Sequence, residues 1–86
     1  MNDVGQYEKL REVQELLDWA IVHLNGSIRC KVIDHKYEYY RVQCFTKEDK
    51  LIMPVLISED WVKESNPKEN FIHDSLKTLL KNLESY

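Results

Sequence analysis

Three runs of β-type residues in the middle of the chain constrain its fold more than any other feature. Ser27–Ile33 alternates apolar and polar residues, Tyr37–Phe45 alternates again, and Lys50–Ile57 is a third, mostly apolar run. Polar, turn-compatible residues separate the runs, which predicts an antiparallel three-stranded meander. Pro54 lacks a backbone donor and favours an edge strand, so the second run is predicted to be the central strand.

The lengths of the two loops decide which side chains share a face, because successive residues of a strand point to opposite faces. A first loop of odd length pairs Cys30 with Tyr40, and a four-residue second loop pairs Val42 with Met53. The predicted inner face carries apolar and thiol side chains: Ile28, Cys30, Val32, Tyr40, Val42, Cys44, Leu51, Met53 and Val55. The predicted outer face mixes aromatic, basic and aliphatic side chains: Arg29, Lys31, Ile33, Tyr37, Tyr39, Arg41, Gln43, Phe45, Ile52, Pro54 and Leu56.

A helix is predicted before this meander. Residues 6–24 carry one apolar stripe with spacings of three and four, which is typical of an amphipathic helix. Asp3 and Gln6 are spaced as in a loose capping box, and Gly26 is predicted to supply the left-handed residue past the helix end. The stripe consists of Leu10, Val13, Leu16, Leu17, Ala20, Ile21 and Leu24.

Two further helices are predicted after the third strand. Ser58 is a favourable N-cap for a short helix over residues 59–65. The segment Asn66–Glu69 has the cap, proline and glutamate of a helix start, which predicts a last helix over residues 67–84. A later start capped by Asn70 is the alternative. The buried stripe of this helix would be Ile72, Leu76, Leu79, Leu80 and Leu83.

Together these elements predict one α+β domain over residues 1–86, of order α-β-β-β-α-α, with the N-terminal and C-terminal helices on one face of the sheet. The element order resembles that of double-stranded-RNA-binding domains. That family carries a lysine cluster at the start of its last helix, where this chain has Phe71-Ile72-His73-Asp74, so the resemblance implies a fold and not RNA binding. We expect one core to include Leu16, Leu17, Val42, Met53, Leu76 and Leu79.

The composition limits the class of protein. With 43% hydrophobic and 31% charged residues, a chain of 86 residues can form one core and is not expected to be disordered. Its apolar runs are too short to span a membrane, and residues 1–5 lack the basic cluster of a signal peptide, so a cytoplasmic location is expected. Cys30 and Cys44 are predicted to lie out of register with each other, which predicts free thiols, as in a reducing compartment.

No pattern of catalytic, cofactor-binding or metal-binding residues stands out. The two cysteines and three histidines lack zinc-finger spacing, and two glycines cannot make a glycine-rich phosphate loop. The net charge of −3 argues against a general nucleic-acid binder. We therefore expect a protein that binds rather than catalyses. A small enzyme with a pocket built by an oligomer is the third hypothesis.

The predicted outer face is the best candidate for binding, because a sheet face in contact with water is usually polar. In the predicted register Arg29 opposes Arg41, and this repulsion favours an anionic partner or stacking on tyrosines. We expect self-association as a homodimer; the alternatives are another protein, single-stranded nucleic acid, or cover by one of the chain's own helices. Trp19, on the acidic side of the first helix, is a second candidate contact unless it folds over its neighbours. The candidate partner-binding residues are Arg29, Lys31, Tyr37, Tyr39, Arg41, Gln43, Leu56 and Trp19.

Overall fold

The computed structural model describes the backbone of residues 4–86 and the side chains from residue 7 onward. The elements are α1 (Val4–His23), β1 (Arg29–Lys36), β2 (Tyr39–Phe45), β3 (Val55–Ser58), α2 (Glu59–Glu64), a 3₁₀ turn (Pro67–Glu69) and α3 (Asp74–Leu83). The strands form one antiparallel sheet in the order β1-β2-β3, so β2 is central and the predicted α+β order is confirmed. The predicted capping box of Asp3 and Gln6 lies outside the described side chains.

Helices α1 and α3 pack on the same face of the sheet. One hydrophobic core joins side chains of both helices to those of the strands: Val13, Leu17, Ala20, Ile21, Ile28, Cys30, Tyr40, Val42, Cys44, Ile52, Ile57, Ile72, Leu76, Leu80 and Leu83. The Cα extents are 38 × 30 × 17 Å. A thickness of 17 Å fits one sheet and one layer of helices, so no described helix covers the outer face.

The core prediction is confirmed for three of its members and wrong for one. Leu17, Val42 and Leu76 belong to the core. Leu16 is buried outside this cluster, and Leu79 is half-buried against it. Met53, the remaining member, is 63% exposed.

The first hairpin departs from the predicted register. Cys30 pairs with Cys44 instead of Tyr40, because β1 continues through Lys36 and the chain reverses at Tyr37 and Glu38. A β-bulge at Ile33, between Val32 and Asp34, then shifts the pairing by one residue. The turn places Tyr37 at φ 60°, a conformation that bulky residues rarely adopt. Nothing in the local sequence therefore marks this position as the turn.

The second hairpin corrects the predicted inner face. Phe45 bridges Leu51, so the loop holds one residue more than predicted and the parity of the following residues changes. Ile52 is 5% exposed and its N–H donates to Cys44 O at 2.8 Å, whereas Leu51 and Met53 are exposed. Past Pro54 the predicted parity returns, because Val55 pairs with Val42.

The end of α1 also differs from the prediction. Asn25, and not Gly26, takes the left-handed conformation, with φ 58°. A Cβ at Gly26 would lie 2.4 Å from Glu84 Oε2, so a larger residue there would displace this carboxylate. The Glu84 carboxylate accepts hydrogen bonds from Ser27 N at 2.8 Å, Ser27 Oγ at 3.0 Å and Ile28 N at 3.1 Å. The end of α3 is thereby tied to the loop before β1.

The C-terminal helices are shorter than predicted. Ser58 caps α2 as predicted, since its Oγ accepts from Asp60 N at 3.2 Å. Asn66 caps only a 3₁₀ turn, which ends at Asn70 in the left-handed conformation, φ 55°. The last helix therefore does not run from residue 67, and Asn70 is not its cap. It starts at Asp74, with His73 Nδ1 accepting from Ser75 N at 3.0 Å.

Candidate functional site: the outer face of the sheet

The outer face is the side of the sheet opposite the core. Pairing and exposure place these residues on it: Arg29, Lys31, Ile33, Asp34, Lys36, Tyr39, Arg41, Gln43, Phe45, Pro54, Leu56 and Ser58. Six of the candidate residues predicted from sequence, Arg29, Lys31, Tyr39, Arg41, Gln43 and Leu56, are brought together here. Ile52, predicted to be outward, is buried instead.

Apolar side chains on this face are open to solvent. Ile33 is 37% exposed, Tyr39 46% and Leu56 55%. They come from β1, β2 and β3 respectively, so the apolar character extends across all three strands. The alternative that a helix of this chain covers the face is wrong for the residues that the structure describes.

The bulge at Ile33 creates an ion pair at the centre of the outer face. It places Asp34 opposite Arg41, and the guanidinium binds the carboxylate through two hydrogen bonds, from Nε to Oδ1 at 2.8 Å and from Nη2 to Oδ2 at 2.5 Å. The hydrogen bonds from Arg41 lower the pKa of Asp34, and the carboxylate raises the pKa of Arg41. The charge of Arg41 is therefore compensated within the chain.

The predicted repulsion between two arginines does not exist. Arg29 lies opposite Phe45 and not Arg41; its guanidinium lies 5.5 Å from the centre of the Phe45 ring and pairs with Asp49 in the loop after β2. Lys31 faces Gln43 instead of Tyr39. Among the described residues, Lys31 has no carboxylate within salt-bridge distance. The outer face is thus less basic than its sequence indicates.

Two shallow hollows meet at Ile33. One, of about 210 Å³, lies on the outer face and is lined by Ile33, Arg41, Val42, Gln43 and Pro54. The other, of about 340 Å³, lies between α1 and β1 and is lined by Tyr7, Leu10, Arg11, Lys31, Val32 and Ile33. Tyr7 is 77% exposed, so the apolar surface continues from the sheet around the edge of β1 onto α1.

Two candidate residues lie elsewhere. Tyr37 stands at the tip of the first turn and is 88% exposed. Trp19 is half-buried on α1, where it packs against the core and stacks on His23 with ring centres 5.0 Å apart. Its placement therefore separates it from the sheet residues and favours a packing role.

A second charged cluster surrounds Glu59 at the start of α2. Its carboxylate lies 3.0 Å from His35 Nε2, 3.4 Å from Lys9 Nζ and 3.3 Å from Lys63 Nζ. The hydrogen bond from Lys63 is the largest cause of the lowered pKa of Glu59. His35 Nε2 is close to Glu59 but misaligned, so this buried nitrogen makes no hydrogen bond, while its ring packs on Tyr40 at 4.4 Å. The cluster joins α1, β1 and α2.

Asp34 and Tyr7 were not identified from the sequence as parts of the candidate surface. Asp34 precedes His35 and Lys36 in a polar segment that is typical of a turn, and only the unmarked bulge turns it toward Arg41. Tyr7 belongs to a helix, and nothing in a helical pattern shows which strand edge it will lie beside.

Within residues 4–86 no group of three or more His, Cys, Asp or Glu side chains is arranged to hold a metal ion. No described helix combines the length and apolar character needed to cross a membrane. Comparisons with protein-family models, curated proteins and solved structures find no match.

Proposed function

We propose that this chain is a small, non-enzymatic binding module that associates with a second copy of itself through the outer face. The observation that carries the proposal is an uncovered sheet face with solvent-exposed Ile33, Tyr39 and Leu56 on its three strands. A sheet face in contact with water is usually polar, so exposed apolar side chains on all three strands favour a contact surface. Tyrosine and arginine, which β2 contributes to this face as Tyr39 and Arg41, are enriched at protein interfaces.

The charges of the face suit a partner of the same kind. The pair of Arg41 and Asp34 presents both signs side by side on the central part of the face. Around a two-fold axis the same patch meets itself, so each arginine can approach the carboxylate of the other copy. Like charges are then kept apart without an external anion.

The size of the sheet indicates how far the contact must extend. The three strands, of eight, seven and four residues, cover roughly 300 Å² in plan. A stable interface buries about 800 Å² on each partner. We therefore expect the contact to include the hollow beside Tyr7, and to have a modest affinity that depends visibly on protein concentration.

Binding of single-stranded nucleic acid is the weaker alternative. Arg29 and Arg41 are engaged by Asp49 and Asp34, so their charge is less available to phosphates. The exposed Tyr39 could still stack on a base.

Two unbonded thiols suit a reducing compartment, and we place this function in the cytoplasm.

Sedimentation over a range of protein concentrations tests the proposal. The wild type is expected to form a dimer, and Tyr39→Glu to weaken its association at least tenfold, because a charge would be buried within the contact. Tyr86→Glu is the matched control, since Tyr86 is 71% exposed and outside the outer face. Far-ultraviolet circular dichroism checks that each variant is folded.

Two results would contradict self-association, and a third would support the nucleic-acid alternative. A wild type that stays monomeric at all concentrations, or a folded Tyr39→Glu that still forms the dimer, contradicts self-association through this face. A gel shift with single-stranded oligonucleotides, positive for the monomeric wild type and lost in Tyr39→Glu, would support the nucleic-acid alternative.

A further inference from the structure

The two cysteines of the chain face each other across β1 and β2. Cys30 and Cys44 are direct partners in the register, and their Sγ atoms are 3.4 Å apart. Both are free and buried, at 6% and 0% exposure. The sequence-based argument that they lie out of register is therefore wrong, although the two thiols are free, as predicted.

The hydrogen bonds around the two cysteines show whether they form a hydrogen-bonded or a non-hydrogen-bonded pair of the antiparallel sheet. The Gln14 amide spans the free edge of β1: its Nε2 donates to Cys30 O at 2.8 Å, and Val32 N donates to its Oε1 at 2.9 Å. Cys44 O accepts from Ile52 N at 2.8 Å. The backbone groups of both cysteines thus point away from each other, so this is a non-hydrogen-bonded pair.

That position is suited to a cross-strand disulfide. In non-hydrogen-bonded antiparallel pairs the Cα atoms are about 4.5 Å apart and the side chains are closest. Disulfides are formed between Cα atoms about 4.4–6.8 Å apart. A bond between Cys30 and Cys44 therefore needs side-chain rotation and no displacement of the strands.

The thiols also influence each other chemically. Cys30 interacts with Cys44 through a thiol hydrogen bond, which lowers the pKa of Cys44, while the same interaction and burial raise the pKa of Cys30. The thiol hydrogen bond thus favours the thiolate of one member of the pair, which is the reactive form once solvent reaches it. Because both side chains are buried, access requires brief opening of the hairpin.

We propose that Cys30 and Cys44 form a site of reversible oxidation, at which a peroxide converts the two thiols into an intramolecular disulfide across the hairpin. One of the two cysteines attacks one peroxide oxygen as its thiolate, and the O–O bond breaks; the leaving hydroxide takes up the proton that the thiol released, so a sulfenic acid and one water form. The thiol of the other cysteine then attacks the sulfenic sulfur, the S–O bond breaks, and the oxygen leaves with the thiol proton as a second water. Two sulfurs are oxidised and two peroxide oxygens are reduced. This proposal is independent of the partner of the outer face.

Peptide mapping after peroxide treatment tests the site. The reduced native protein is incubated with hydrogen peroxide, quenched with catalase, alkylated in denaturant and digested with trypsin without reductant. Cleavage after lysine and arginine should give a disulfide-linked pair of the peptides Cys30–Lys31 and Val42–Lys47. The linked peptides should be the main oxidation product of the native protein and a smaller share of the products in urea, because only the folded hairpin holds the two thiols opposite each other, and dithiothreitol should restore both thiols.

Single substitutions and stability measurements complete the test. Cys30→Ser and Cys44→Ser should give no intramolecular product, and the oxidised wild type should unfold at a higher urea concentration than the reduced protein, reversibly with dithiothreitol. Independent oxidation of the two thiols to sulfinic acids, a disulfide formed only between chains, or loss of folded structure on oxidation would each overturn the proposal.

Discussion

The two faces of β2 show how different the surroundings of neighbouring residues can be. Tyr40 and Val42 are each 1% exposed and lie against the helices. Tyr39, next to Tyr40 in the chain, is 46% exposed, and Arg41, between Tyr40 and Val42, holds Asp34 in a surface ion pair. The inner face is joined to other elements by packing, and the outer face is joined only to its own sheet and loops.

This contrast separates stability from binding. Burial of apolar side chains contributes about 1.5–3 kcal/mol for each large residue, so the inner face dominates the free energy of folding. Exposed ion pairs contribute little. The outer face can therefore change with small effects on folding, whereas a change on the inner face affects the whole domain.

The largest effect is expected on the inner side, at Leu76. This residue is 0% exposed in the core, and we predict that Leu76→Ala lowers the free energy of unfolding by about 2–5 kcal/mol. Thr78→Ala, at an exposed position of the same helix, should change it by less than about 0.5 kcal/mol. Urea denaturation measures both. Similar small losses in the two variants would contradict the packing of α3 on the sheet.

The second prediction sharpens the boundary between the faces in the segment before β3. Ile52 is 5% exposed and its neighbour Met53 is 63% exposed. Ile52→Ala should cost about 2–5 kcal/mol and Met53→Ala less than about 0.5 kcal/mol in the same urea experiment. A larger loss of stability in Met53→Ala than in Ile52→Ala would contradict this boundary and would support the predicted four-residue loop, with Met53 in the core.

The third prediction concerns the free edge of β1, where the two faces meet. Gln14 satisfies Cys30 O and Val32 N, so Gln14→Ala is expected to cost about 1–3 kcal/mol by leaving these groups unpaired. Glu15→Ala, exposed on the same helix, is the control. Hydrogen exchange should show faster exchange of the Val32 amide in Gln14→Ala alone. An unchanged exchange rate would show that this hydrogen bond does not protect the edge.

The smallest effect is expected on the outer face, from the pH dependence of Asp34. Its pKa is lower in the folded protein than in the unfolded chain because of Arg41. The ion pair therefore stabilises the fold above the unfolded value of about 3.9, and this contribution is lost as the pH falls through the folded value.

Asp34→Asn should accordingly be slightly less stable than the wild type at neutral pH, and the difference should disappear in strong acid. Urea denaturation at both pH values measures it, with Glu48→Gln, an exposed loop residue, as control. A difference that persists unchanged into acid would mean that the charge of Asp34 is not what stabilises the fold.

Buried residues were predicted correctly where the alternation within a single strand decides which side chains point inward. Ile28, Cys30, Tyr40, Val42 and Cys44 are all buried, as the alternation predicts. Cys30 nevertheless pairs four residues further along β2 than predicted, with Cys44 instead of Tyr40. An even shift keeps every side chain on its face, so the error in pairing left the prediction of the face intact.

The predictions failed where a single residue changes the parity. The longer second loop moved Ile52 inward and Met53 outward, and the bulge at Ile33 moved Asp34 to the outer face. A turn that uses Tyr37 at positive φ carries none of the glycine or asparagine that usually marks such turns. The outer-face ion pair, the most distinctive part of the candidate site, depends on that bulge.

By itself the sequence determined the element order, the central place of β2 and most of the core, because hydrophobic periodicity and local capping act within one segment. The opposition of Cys30 and Cys44, the capture of Arg41 by Asp34 and the ties made by Gln14 and Glu84 were decided only by the tertiary structure. Each of these contacts joins residues of different elements or of opposite sides of a bulge. Their existence depends on register and packing, which are set by the free energy of the whole domain and leave no periodic trace in the chain.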